Sequence, residues 1–235
     1  MSSSVSSTIA DGTATITLDD GKANALRPET LSAIHAALDE AEAAEAVVVL
    51  TGRDGIFSAG FDLDIIRAGG EGTASLVRGG MELALRLLSF PAPVVVACSG
   101  HAMAMGSFLL LAGDYRLGVA DSGHRISANE VAIGMTMPRA AIEICLQRLT
   151  PAGYNRAILL ADVFTGDGAV AAGFLDTTVP AGSLADAAAE RAAAFAGLSR
   201  RAHTESKLRL RQAMLDRLAA AIEADDVYLR SLVVR

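Results

Sequence analysis

The 235-residue chain has no tryptophan, an aromatic content of 4% and only two cysteines. The missing tryptophan excludes nothing. The cysteine count excludes a disulfide framework and a cysteine-built zinc site. Cys98 and Cys145 both lie in apolar surroundings and read as buried free thiols in a reducing compartment. Positive charge is also scarce: 20 Lys and Arg stand against 27 Asp and Glu, a formal net charge of −7. That balance argues against nucleic acid as a bulk electrostatic partner. An anionic small molecule needs only a few local cations and backbone donors, so it stays open. The longest apolar stretch, residues 102–113, is too short to span a bilayer, and no membrane partner is expected. The opening "MSSSVSSTIA" lacks the basic and apolar regions of a secretory signal and reads as a frayed tail. His35, His124 and His203 have no partners at metal-ligand spacing, so no metal site is expected. The expectation is a soluble, cytoplasmic protein.

Apolar residues are plentiful, at 51%, and only 20% are charged, enough for a sizeable core. Residues 13–18, "TATITL", alternate as a half-buried strand does. Pro28 and Glu29 suit the start of a helix whose apolar stripe is Leu31, Ile34, Ala37, Leu38 and Ala41. Residues 46–52 and 93–100 are β-branched runs, the mark of strands covered on both faces. Residues 75–90 read as a helix with Val77, Met81, Ala84, Leu85 and Leu88 on its apolar side. Residues 106–114 read as a buried helix and "YRLGVA" as a short strand. Strands alternating with helices predict an α/β chain with a largely parallel sheet. Helical segments follow over 138–149, 151–161, 166–175 and 183–198, with a strand or turn at "DTTVP". Residues 205–233 form one long or broken amphipathic helix, with Leu208, Leu210, Met214, Leu215, Leu218 and Ile222 inward. No repeat or linker divides the chain. The reading is one structural unit, a core over 1–180 and a helical region over 181–235.

Two buried strands each run into a small-residue loop and then a helix: "VVVLTGRDGIFSAGFDLDII" and "VVVACSGHAMAMGSFLLLAGD". Each loop offers backbone N–H groups with no intrahelical partner. Two such donors converging on one point would stabilise charge on a carbonyl oxygen. Each junction alone is equally an ordinary turn with glycine at positive φ. Neither fits a phosphate-loop or dinucleotide pattern.

"FSAGFDL", then "SGHAMAMGSFLLLAGDYRL" about forty residues on, then "NEVAIG", together resemble the crotonase (enoyl-CoA hydratase/isomerase) superfamily. "GKANAL" is similar to that family's N-terminal loop, and the resemblance covers roughly residues 16–179. It implies a spiral of ββα units, acyl-CoA thioesters as substrates, no further cofactor, and a homotrimer or a pair of trimers. It also implies that two backbone amides hold an enolate oxygen. Residue by residue, those amides belong to Phe61 and Met105. Lys22, Ala23, Ala25, Ala59, Asp62, Leu63, Met103, Gly106 and Phe108 fall at substrate-facing positions. Lys22, Arg53 and Arg67 are the cations nearest in sequence for the CoA phosphates.

Two departures from the family stand out. A Gly-Gly-Gly run is replaced by Ala104-Met105-Gly106, and one of two hydratase glutamates is replaced by Phe108. The other is retained as Glu130. Hydration needs a water held between two carboxylates, whereas one carboxylate suffices for a proton shuttle. The single-glutamate pattern is similar to that of Δ3,Δ2-enoyl-CoA isomerases, with Glu130 as base. An enoyl-CoA hydratase, a hydrolase or a non-catalytic acyl-CoA-binding trimer are the alternatives. Without the family register, Glu130 reads as a loop or first-turn acid satisfied by backbone amides. Asp62 and Asp64 read as first-turn acids at free N–H groups. His101 reads as a satisfied loop histidine.

Overall fold

The structure, a computed structural model, describes residues 4–233. Its first strand overturns an expectation. β1 (Val5–Ala10) lies in the stretch read as a frayed tail, yet it pairs antiparallel with β2 (Thr13–Leu18), Val5 opposite Leu18 and Ala10 opposite Thr13. Its serines and threonines carry no apolar signal, because all but Val5 are exposed on an edge strand held by backbone bonds. After β3 (Ala25–Leu26), α1 (Pro28–Ala43) buries the stripe from Leu31 to Ala41 that its spacing predicts.

From there a repeating unit builds the molecule. A buried strand of the large sheet leads into a short strand of a second sheet and then into a helix. The first unit runs β4 (Val47–Gly52), β5 (Gly55–Ser58), β6 (Gly60–Phe61), α2 (Leu63–Ala68) and α3 (Gly70–Ser89). The second runs β7 (Val94–Cys98), β8 (Gly100–Met103) and α4 (Met105–Leu111). The third runs β9 (Tyr115–Val119), β10 (Ile126–Ser127), a 3-10 turn (Val131–Ile133) and α5 (Arg139–Arg148). Among the described residues, six strands form the large sheet in the order β1-β2-β4-β7-β9-β11, parallel except at β1. The second sheet, β10-β8-β5, is parallel, and β3 pairs with β6. This is the spiral of ββα units of the crotonase fold.

The passages from the large sheet to the small one are therefore strands, where the sequence reads as loops. β5 and β8 are only four residues long, and their partners are distant in sequence. The turns between them press backbone on backbone. A Cβ on Gly52 would stand 2.7 Å from the Phe57 Cα, and one on Gly100 would fall inside the Gly55 peptide group.

α6 (Pro151–Leu160), α7 (Gly166–Ala172), β11 (Thr177–Val179), α8 (Leu184–Ala196) and α9 (Arg200–Val233) complete the chain. α9 is unbroken over 34 residues. Met214, Leu215, Leu218 and Ile222 enter the same buried cluster as Ile16, Phe57 and Phe108. Leu210, placed inward from sequence, is 84% exposed. A buried ionic cluster also fastens α9. Lys207 and Arg211 donate to the two oxygens of Asp114 at 2.7 and 2.8 Å, and the Val94 amide donates to the same carboxylate at 2.8 Å. Lys207 spends its remaining protons on the Leu87 and Ala92 carbonyls. No helix among the described residues is long and apolar enough to cross a membrane.

Candidate active site

The small sheet assembles the site. β5, β8 and β10 lie side by side and parallel, with Ser58 opposite Ala102 and Ser127 opposite Met103. Beyond these paired ends each chain delivers one candidate residue: Phe61 after β5, Met105 after β8, Glu130 after β10. The carboxyl ends of parallel strands are where α/β sheets present ligand sites. The Ala104 amide donates to the Ser127 carbonyl at 2.9 Å, tying the segment before Met105 to the one before Glu130.

The loop "GKANAL" is stapled against the first of these ends. Asn24, buried at φ +50, donates from its side chain to the carbonyls of Leu18, Ile56 and Phe57 at 2.8, 3.1 and 3.1 Å. Asp20 accepts from the amides of Lys22, Asn24 and Ala25, which holds its carboxyl below the usual range against the opposing effect of burial. Ala59 donates to the Ala23 carbonyl at 2.9 Å, and Asp62 to Leu26 at 3.0 Å. Because successive strand amides point to opposite sides, the Asp62 bond turns the Phe61 N–H away from β3.

Gly60 explains why the stretch before Phe61 carries so little side chain. It sits at φ +89, and a Cβ there would stand 2.9 Å from the Met103 carbonyl oxygen and 3.1 Å from the Met105 nitrogen. The two junctions thus meet backbone to backbone. Gly106 is excluded from bearing a side chain in the same way, since its Cβ would strike the Ser58 carbonyl. Met105 opens α4, where an N–H has no acceptor within the helix. The amides of Ser107 and Phe108 both turn to the Ala104 carbonyl, at 2.8 and 3.3 Å. Ala104 itself stands at φ +47, ψ −125, a strained conformation for a residue with a Cβ.

Glu130 is 6% exposed, and its Oε2 has no hydrogen-bond partner. Burial pushes its carboxyl up to about 7, although its own backbone amide works the other way. Its charge is felt by the buried thiol of Cys145 on α5, which burial, and then Glu130, raise well above the usual range. The reading of Glu130 as an acid satisfied by backbone amides leaves this orphaned oxygen unexplained. Phe108, at the position of the missing glutamate, is fully buried in the core.

The other candidates are more dispersed. The Asp62 carboxylate is spent as the cap of α2, accepting from Asp64 and Ile65 at 2.9 and 3.3 Å and pairing with Arg27 at 2.7 Å. Burial alone would raise it, but those amides and the Arg27 guanidinium hold it low. Leu63, Ala59 and Lys22 are exposed; Ala23, Ala25 and Met103 are half-buried around the Phe61 and Met105 backbone. Arg53 donates to the Lys22 carbonyl, whereas Arg67 is exposed beside Asp64. His101 lies on β8 rather than in a loop, and its Nδ1 accepts from the Arg125 amide at 2.9 Å. Sequence reasoning passed over Asn24, Arg27 and Cys145. A lone buried asparagine at positive φ leaves no periodic signal, and Cys145 gains its neighbour only through the packing of α5.

The family profile described as "Enoyl-CoA hydratase/isomerase" matches residues 8–234. An apo structure of an enoyl-CoA isomerase from Mycobacterium tuberculosis is 46% identical, with a TM-score of 0.93, covering 97% of this chain and 99% of that one, and a crystal structure of the same protein is described as a probable enoyl-CoA hydratase. One of an enoyl-CoA hydratase from Mycobacterium ulcerans is 43% identical, with a TM-score of 0.92, covering 95% and 98%. The rat mitochondrial enoyl-CoA delta isomerase 1 is 27% identical over 228 residues, covering 95% of this chain and 79% of the relative.

Proposed function

The chain belongs to the enoyl-CoA hydratase/isomerase family, and from that premise we propose that it is an enoyl-CoA isomerase that moves a double bond from the 3- to the 2-position of an acyl-CoA. The observation that carries the reading is Glu130, a buried carboxyl with a free oxygen and a raised pKa, set without a second carboxylate where the family's other acid is Phe108.

The Phe61 and Met105 amides receive the thioester oxygen. The Glu130 carboxylate takes a proton from C2 of a 3-enoyl thioester. The C2–H electron pair forms a C1=C2 double bond, and the carbonyl π pair moves onto the thioester oxygen, giving a dienolate conjugated with the 3,4 double bond. Two preorganised donors in a dry site are worth most at this stage, because their dipoles need no reorganisation. Glu130, now protonated, returns the proton to C4, and the electrons flow back to leave a 2,3 double bond. Substrate and product are isomers, so no co-reactant is consumed. A pKa near 7 suits a base that must both take and return a proton at neutral pH. A buried Phe108 favours this over hydration, because no second carboxylate holds a water.

Purified protein given a 3-enoyl-CoA is expected to form the 2-enoyl-CoA, and Glu130→Gln to lose that activity. Formation of 3-hydroxyacyl-CoA from a 2-enoyl-CoA at a comparable rate would overturn the isomerase reading in favour of the hydratase activity named for the M. ulcerans relative. Tight binding with no turnover of either substrate would overturn both. Assembly as a trimer or a pair of trimers belongs to the same proposal, and light scattering tests it.

A further inference from the structure

α3 carries two glycines in its interior, Gly79 and Gly80, where glycine is unfavourable. Gly80 is buried, and a Cβ built on it would stand 2.5 Å from both Cε1 and Cζ of the Phe61 ring and 3.4 Å from the Met105 Sδ. The missing side chain is thus a seat of bare helix that receives the Phe61 ring, with Met105 at its edge. These are the two residues whose amides the proposed function uses.

We propose that Gly80 is a positioning residue for that pair: its bare backbone fixes the Phe61 and Met105 side chains and, through them, the aim of their amides. The inference rests on the proposed function. β6 is a two-residue strand paired only with β3. The ring in its seat restrains Phe61 in addition to the backbone bonds that flank it. Carbon atoms in contact sit about 3.5–4.0 Å apart. A methyl at position 80 therefore drives the ring back by about 1 Å, and the amide on the same residue moves with it. Misplacement of that size costs about 100-fold where alignment carries catalysis. Gly79 serves as a control, because its Cβ would meet Leu31 Cδ1 at 3.2 Å instead.

The test reads the enolate directly. A 3-oxoacyl-CoA bound where two amides hold its oxygen shifts toward its enolate, which absorbs in the near ultraviolet, and this readout needs no proton shuttle by Glu130. Wild type is expected to show the enolate band. Gly80→Ala should weaken enolate stabilisation and lower isomerase kcat by about 10- to 100-fold while KM changes little. Gly79→Ala should leave the band intact. Phe61→Leu removes the two clashing atoms, so Gly80→Ala placed on Phe61→Leu should cost little beyond Phe61→Leu alone. That comparison also serves if Gly80→Ala does not fold by itself. A wild-type protein without the band would overturn the proposed amide pair, and the inference with it. A band in wild type that Gly80→Ala leaves unchanged, that Gly79→Ala weakens equally, or that Gly80→Ala weakens just as much in the leucine background would overturn the inference alone.

Discussion

Asp225, near the end of α9, accepts a hydrogen bond from the Ala140 amide at 2.9 Å and pairs with Arg139 at 3.1 Å. Pro138 stands at the N-cap of α5 and has no polar side chain to cap it, so the terminal helix supplies one from 85 residues away. α5 also carries Cys145, the neighbour of Glu130. Asp225→Ala is expected to destabilise the fold by about 1–2 kcal/mol, the usual cost of a lost cap. Asp225→Asn, which keeps an acceptor oxygen, should recover most of it. Denaturant midpoints for the three proteins check this, and equal midpoints for Ala and wild type would refute it.

Glu130 sets the pH dependence. In the proposed mechanism only the Glu130 carboxylate takes the substrate proton, so kcat/KM is expected to rise with pH through a single ionisation near 7 and then level off. A flat profile from pH 5.5 to 8.5 contradicts the assignment.

The same group predicts a stability difference. Its folded pKa is raised from 4.5 to about 7. Its protonated form is therefore favoured by the fold, fully below pH 4.5, and that contribution is lost as pH rises through 7. Glu130→Gln cannot lose it. The variant's stability relative to wild type should climb across this window by up to about 3 kcal/mol and be constant above it. Thermal unfolding at a series of pH values measures the trend.

Asp114 joins α9 to the large sheet through Lys207, Arg211 and the Val94 amide. Asp114→Asn leaves two buried cations short of a counter-charge. Breaking one side of such a cluster costs about 3–5 kcal/mol. A large fall in Tm is expected. A fall of only a degree or two would mean that Lys207 and Arg211 find other partners.

Ala104 holds a backbone conformation that suits glycine. Ala104→Gly removes the Cβ penalty and should stabilise the protein by up to about 1 kcal/mol, with isomerase activity retained. Urea unfolding with an unchanged slope and a lower midpoint would count against the strain.

The sequence was legible wherever burial is periodic or continuous. The run "AVVVL", the alternation of "TATITL" and the stripe of α1 each report a strand or helix directly, because the core selects apolar residues at a fixed spacing. Glu130 was legible only through a motif, since a single carboxylate has no period. β1 was hidden because an edge strand needs no apolar face. β5 and β8 were hidden because four residues hold too little alternation to mark a strand until its neighbours are known. The seat at Gly80 was hidden more deeply, because it records what another segment's ring occupies.

The backbone crossings at Gly52, Gly100 and Gly106 bear on how a substitution scan of this protein should be interpreted. Every residue larger than glycine collides there with a neighbouring peptide group, so all three positions will score as intolerant as Glu130. The two kinds of intolerance separate by abundance. Replacements at the crossings are expected to remove the folded protein along with its activity, whereas under the proposed function replacements at Glu130 leave soluble protein without turnover.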